Sequence, residues 1–269
     1  MSDAAVESLF RRDSLAVAGA LSALILLAWF ALLLGAGTGM DPAAMSGWIL
    51  PIDVPASLSG DWTPAYWLIV FFMWAAMMVA MMLPSASPTV LLYARLIREA
   101  SSRRQAAEDG AGRVTVFASA YLLVWGLFSL IAAVLQWGLE HFGAMSALMN
   151  ARVVPLAGGL LIAAGLYQLT PLKTACLKHC RGPAHFIAAH WRPGLDGAFR
   201  MGLAHGLYCL GCCSLLMLLL FVGGVMNLVW IAALSLLVAI EKLVRFGALI
   251  SKGAGVLLMG AGFVLLATA

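Results

Sequence analysis

Long apolar runs separated by short polar stretches set the pattern of this chain, and the runs are too long for a soluble core. A helix needs about 20 mostly apolar residues to cross a bilayer. Seven segments read as such runs: 14–37, 65–83, 114–139, 153–169, 199–222, 228–244 and 249–269. None alternates apolar and polar positions in the segments of about 10 residues that a membrane barrel would use. Backbone groups in lipid must be satisfied within the segment itself, so the runs predict helices. The expected fold class is an all-α, polytopic transmembrane bundle of about seven spans, or six if the glycine-rich last segment does not cross. No repeat or soluble insert interrupts it, and residues 1–269 read as one membrane domain.

The breaks between runs carry their own expectations. The first run is about twice as long as a signal-peptide core and reads as an uncleaved helix. Pro84 and Pro88 are expected to break or kink the second helix, with 89–101 continuing as a helix that leaves the membrane. Residues 102–113 read as a basic linker, and 170–198 as a long polar stretch between spans.

Composition narrows the class. Hydrophobic residues make up 63% of the chain and charged residues 10%, against about 25% charged in a soluble domain. The net charge of +4 is a matter of topology and not of nucleic-acid binding. With the N-terminus in the cytoplasm, fifteen of the sixteen Lys and Arg residues fall on the inner side and only Arg152 falls outside. The positive-inside rule fixes that orientation. The 38–64 loop has no Lys or Arg and carries Trp48 and Trp62, with Trp67 just beyond, which suits a membrane surface.

The chemistry is concentrated in sulfur. Three of the five cysteines lie in HGLYCLGCC, residues 205–213. On a helix His205, Cys209, Cys212 and Cys213 fall within an arc of roughly 100°, and Met201 and Met217 extend that face. Met73, Met77, Met78, Met81 and Met82 crowd the second run. They spread over about 180° of a helix, and Met77, Met78 and Met81 are the central members. A third group, Cys176, His179 and Cys180, would share one face of a helical turn at the inner mouth. Thiol and thioether donors select Cu(I) among biological ions, which makes copper the expected metal. Zinc rarely takes thioether and is the weaker candidate. Mg²⁺ and Ca²⁺ want carboxylates that the spans lack. His205 to Cys213 covers about 12 Å, so one ion cannot touch all four donors, and the motif reads as the middle of a ligand path.

Glu241, an ionisable residue in a span, is a further candidate, suited to taking a proton from a metal-binding thiol. The alternative is that Glu241 and Lys242 both extend to the interface. Met40 and Met45 read as incidental, His185 and His190 as solvated, and His141 as interfacial. No nucleotide-binding loop is present.

The chain resembles the predicted metal-binding integral membrane proteins of bacteria. MWAAMMVAMMLPSASP (73–88), CLKHCRGP (176–183), GLAHGLYCLGCC (202–213) and GGVMNLVWIAALSLLVAIEKL (223–243) carry the resemblance. It implies a multi-pass protein of the bacterial inner membrane that binds a metal, with no established reaction. The expected function is Cu(I) handling as a chaperone, assembly factor or transporter, without catalytic residues. The expected partners are the lipid bilayer and a copper enzyme or soluble copper carrier, with no nucleic acid. Two other readings stand beside it. One is a thiol–disulfide oxidoreductase using the Cys209-Leu-Gly-Cys212 pair; the other is a structural membrane subunit.

Overall fold

The computed structural model describes residues 3–38, Ser46, 62–104, 110–145 and 154–268, with side chains from 15 onward in the first helix and up to 100 in the second. Among these residues every regular element is a helix: α1 (Asp3–Leu33), α2 (Pro64–Arg104), α3 (Gly110–His141), α4 (Val154–Leu169), α5 (Pro171–Arg181), α6 (Pro183–His190), α7 (Gly194–Leu218), the single turn α8 (Leu220–Gly223), α9 (Leu228–Leu243) and α10 (Gly247–Ala267). A 3₁₀ turn, Gly35–Gly37, follows α1. Met40, Met45, Trp48 and Arg152 lie outside the described residues, as do 105–109 of the basic linker.

Five helical stretches are long and apolar enough to cross a membrane: Leu15–Leu33, Pro64–Ala100, Gly110–His141, Gly194–Gly223 and Gly247–Ala267. The count becomes six if α4 and α5, bent by 67° at Thr170, form one broken span. The expected span at 228–244 corresponds to α9. Its 16 residues reach about 24 Å, short of a hydrocarbon core of about 30 Å.

Two expectations are corrected. Pro84 and Pro88 do not break the second helix, because α2 runs through both. A proline inside a helix costs about 3 kcal/mol, and packing against α1, α3 and α9 holds the helix together here. Ser85 and Ser87 fold their hydroxyls back onto the carbonyls of Met82 and Leu83, both at 2.8 Å. The stretch 170–198 is also not a loop. Thr170 caps α5 by accepting from the Lys173 N–H, and Pro171 opens the helix at a position where a missing N–H costs nothing. Gly182 closes α5, and Pro183 opens α6. Lys173, Leu177 and Cys180 of α5 are buried.

The helices pack through one main core. α2 lies against α1, α3 and α9, and α7 lies against α3 and α5. α4 and α10 pair closely because glycines face each other. A Cβ on Gly165 would stand 2.6 Å from the Gly255 carbonyl, and one on Gly262 would stand 2.9 Å from the Gly158 carbonyl. That is the close packing expected of the glycine-rich last run. At one end of the core a polar chain crosses from α2 to α3. Trp74 Nε1 donates to Gln136 Oε1 at 2.8 Å. Gln136 Nε2 donates to Glu140 Oε1, and Trp62 Nε1 to Glu140 Oε2, both at 2.9 Å.

Candidate metal centre

The sulfur-bearing face of α7 is the buried face. Met201, His205, Cys209, Cys212, Cys213 and Met217 are each at most 1% exposed. The glycines between them let the neighbouring helices come close. A Cβ on Gly206 would stand 2.8 Å from Val124 of α3, and one on Gly211 would stand 2.8 Å from the Cys176 sulfur of α5. HGLYCLGCC thus alternates donors with notches for the helices that flank them.

Cys209 is the polar centre. Its Sγ lies 3.1 Å from the Tyr121 hydroxyl of α3 and 2.9 Å from Lys242 Nζ of α9. Lys242 also donates to Ser85 Oγ of α2 at 3.1 Å and stands 4.0 Å from Cys213 Sγ. The Cys212 and Cys213 thiols both donate to the Cys209 carbonyl, at 3.1 and 2.8 Å. Two further contacts join sulfurs of different helices. Cys212 Sγ lies 3.9 Å from Cys180 Sγ of α5, and Cys213 Sγ lies 3.6 Å from Met82 Sδ of α2. Both spacings fall within twice a metal–thiolate bond of about 2.3 Å.

The expected donors are therefore only partly brought together. Cys180 joins the α7 cysteines. Cys176 lies against Gly211 and is half-buried. His179 is directed elsewhere, with its ring stacked on Tyr208 at 4.1 Å. His205 is buried one turn from Cys209 among aromatic rings, with Tyr121 at 5.5 Å and Phe186 at 5.0 Å. Met77, Met78 and Met81 are buried in the same core, but the thioether that meets a thiol is Met82. Among the described residues no three His, Cys, Asp or Glu groups are placed to hold one ion. Sulfur from Met82 is what extends the thiol set. For the oxidoreductase reading, Cys212 turns its thiol to the Cys209 carbonyl and has Cys180 as its sulfur neighbour.

Glu241 and Lys242 do not extend to the surface: they are 1% and 5% exposed. Glu241 accepts from Lys173 Nζ at 2.7 Å and from Gln168 Nε2 at 2.9 Å. Gln168 Oε1 accepts from Ser251 Oγ at 2.9 Å, so the network joins α4, α5, α9 and α10. Both carboxylate oxygens are thus engaged away from the thiols, and Lys242 is the charged residue at the sulfurs. Lys173 and Lys242 therefore leave the tally of surface charges on the inner side. Sequence reasoning missed Lys242, Tyr121, Ser85 and Met82. Met82 had a signal, since it stands one turn from Met78 on the same helix.

An all-helical chain with a buried thiol and thioether cluster is suited to a soft monovalent metal. The copper chaperone family described as PpoB2 matches residues 71–265, from α2 through α10. The chain belongs to that family, and copper is the metal that the membership and the softness of the sulfurs both assign. No curated protein and no solved structure matches the chain.

Proposed function

We propose that this protein is a membrane-embedded Cu(I) chaperone of the bacterial inner membrane. It crosses the bilayer five or six times as one domain, with its N-terminus in the cytoplasm. Copper is held at the sulfur pairs between helices, Cys212 with Cys180 of α5 and Cys213 with Met82 of α2, beside Cys209. Met77, Met78 and Met81 supply further thioethers, and His205 and Cys176 flank the cluster. Copper is the cargo, passed to a copper enzyme or a soluble copper carrier. The observation that carries this reading is the meeting of sulfurs from α2, α5 and α7 in a buried core beside the Lys242 ammonium. Cu(I) binding requires deprotonated thiols. A cation 2.9 Å from Cys209 Sγ offsets part of the negative charge that thiolates leave in a low-dielectric site.

The test is copper content after anaerobic purification from cells grown with copper. Wild type should hold at least one Cu(I) per chain. The Cys209→Ser/Cys212→Ser/Cys213→Ser variant should hold less than about a tenth of that. Equal copper in both would overturn the reading.

A further inference from the structure

His179 and His190 carry a pattern that the sulfur cluster does not explain. His179 Nδ1 lies 2.9 Å from the Ala175 carbonyl, and His190 Nδ1 lies 3.0 Å from the Phe186 carbonyl. A carbonyl oxygen only accepts, so each Nδ1 carries a proton, and in the neutral ring Nε2 is the nitrogen with the lone pair. Backbone bonds thus fix both histidines in the tautomer that binds metal through Nε2. Their ring centroids stand 6.1 Å apart. An ion bound through imidazole nitrogen at about 2.0 Å lies about 3.2 Å from the ring centroid. Two rings sharing an ion in line are therefore about 6.4 Å apart at most, and at a tetrahedral angle they are about 5.2 Å apart. The observed 6.1 Å lies within that reach, with the ring planes at 72°.

The surroundings hold the rings in place. His179 stacks on Tyr208 with an angle of 2° between the planes. His190 stacks on Phe186 at 4.7 Å and lies 5.8 Å from Tyr208. Both histidines are half-buried. Phe186 also lies 5.0 Å from His205. His205 is 1% exposed, and its Nδ1 has no hydrogen-bond partner in the structure. His205 thus shares Phe186 with His190 and stands one turn before Cys209 on α7.

We propose that His179 and His190 form a second, two-coordinate Cu(I) site, through which copper exchanges between the half-buried end of α5–α6 and the cysteine cluster. It rests on the copper reading above but uses a different donor set, so the two can fail separately.

The test uses the full chain in detergent, titrated anaerobically with Cu(I) supplied as its acetonitrile complex. In the Cys209→Ser/Cys212→Ser/Cys213→Ser background, which loses its copper on purification, titration should load one weakly held Cu(I), with an X-ray absorption spectrum of two imidazole nitrogens. Adding His179→Phe/His190→Phe, which keeps aromatic rings in both stacks, should abolish it. With the cysteines intact, the same histidine changes should preserve copper protection of the α7 thiols and slow its onset at least tenfold. The His179→Gln/His190→Gln pair repeats the test with polar side chains. Residual copper that survives both histidine pairs, or a spectrum without imidazole, would overturn the proposal. Loss of thiol protection in wild type would instead overturn the cysteine site and leave the histidine result standing.

Discussion

At the scale of single residues, Lys242 shows how much a side chain's neighbours decide. Its position at the end of an apolar run made it look like an interfacial anchor, yet its ammonium sits among Cys209, Cys213 and Ser85. An ammonium buried that deeply needs negative or polar partners. Lys242→Leu removes the cation without adding a soft ligand. It is expected to weaken Cu(I) affinity at least tenfold, about 1.4 kcal/mol, read by competition with a chromogenic Cu(I) chelator. Unchanged affinity would mean that the cation is structural only. The sulfurs of α7 were legible in the sequence because they recur at helical spacing on one helix. Lys242, Tyr121 and Ser85 were not, because each comes from a different helix and nothing in local spacing tells which helices meet. Met82 went unpicked for a related reason. Five methionines over half a helix leave the choice to whichever neighbour packs there, and that neighbour is Cys213.

At the scale of elements, glycines decide which helices touch. Gly165 and Gly255 bring α4 and α10 to backbone contact. Gly165→Val would force the pair apart and is expected to cost about 1–3 kcal/mol, the usual cost of overpacking. Thermal unfolding in detergent should show a lower midpoint. Gly253→Ala serves as the control, because no heavy atom lies within 4 Å of its Cβ position. The apolar runs locate each long helix, since length and hydropathy are local properties, but not the polar extensions of α1 back to Asp3 and of α2 on to Arg104. The prolines of α2 and the polar stretch after α4 were misread for a common reason. Tertiary packing keeps α2 continuous through Pro84 and Pro88, and it buries Leu177 and Cys180 of α5.

At the scale of the whole molecule, the ion pair of Lys173 and Glu241 ties α5 and α9 together, and Gln168 and Ser251 extend the tie to α4 and α10. α5 carries Cys180 and α9 carries Lys242, so the network sets the distance between two components of the sulfur cluster. Removing one member leaves a buried charge alone, which typically costs about 3–5 kcal/mol. Glu241→Leu should therefore destabilise the protein strongly. Lys173→Leu/Glu241→Leu should recover most of the loss, because two apolar groups can replace a buried pair at little cost. Chemical denaturation of the single and double variants checks this, and a double variant no better than the single would contradict it.

The hydrogen bond from Trp74 to Gln136 has a consequence for traffic through the core. Trp74 is fully buried, leans on Phe221 at 5.1 Å, and is pinned by Gln136, which Glu140 holds in turn. Its indole stands beside Met73 and Met77 on α2, two turns from Met82. An ion leaving the thiols in that direction would have to displace a tethered ring, whereas the side facing α5 and α6 is lined by half-buried histidines. On the copper reading proposed above, a core closed at one end in this way would load and unload its cargo from the same side.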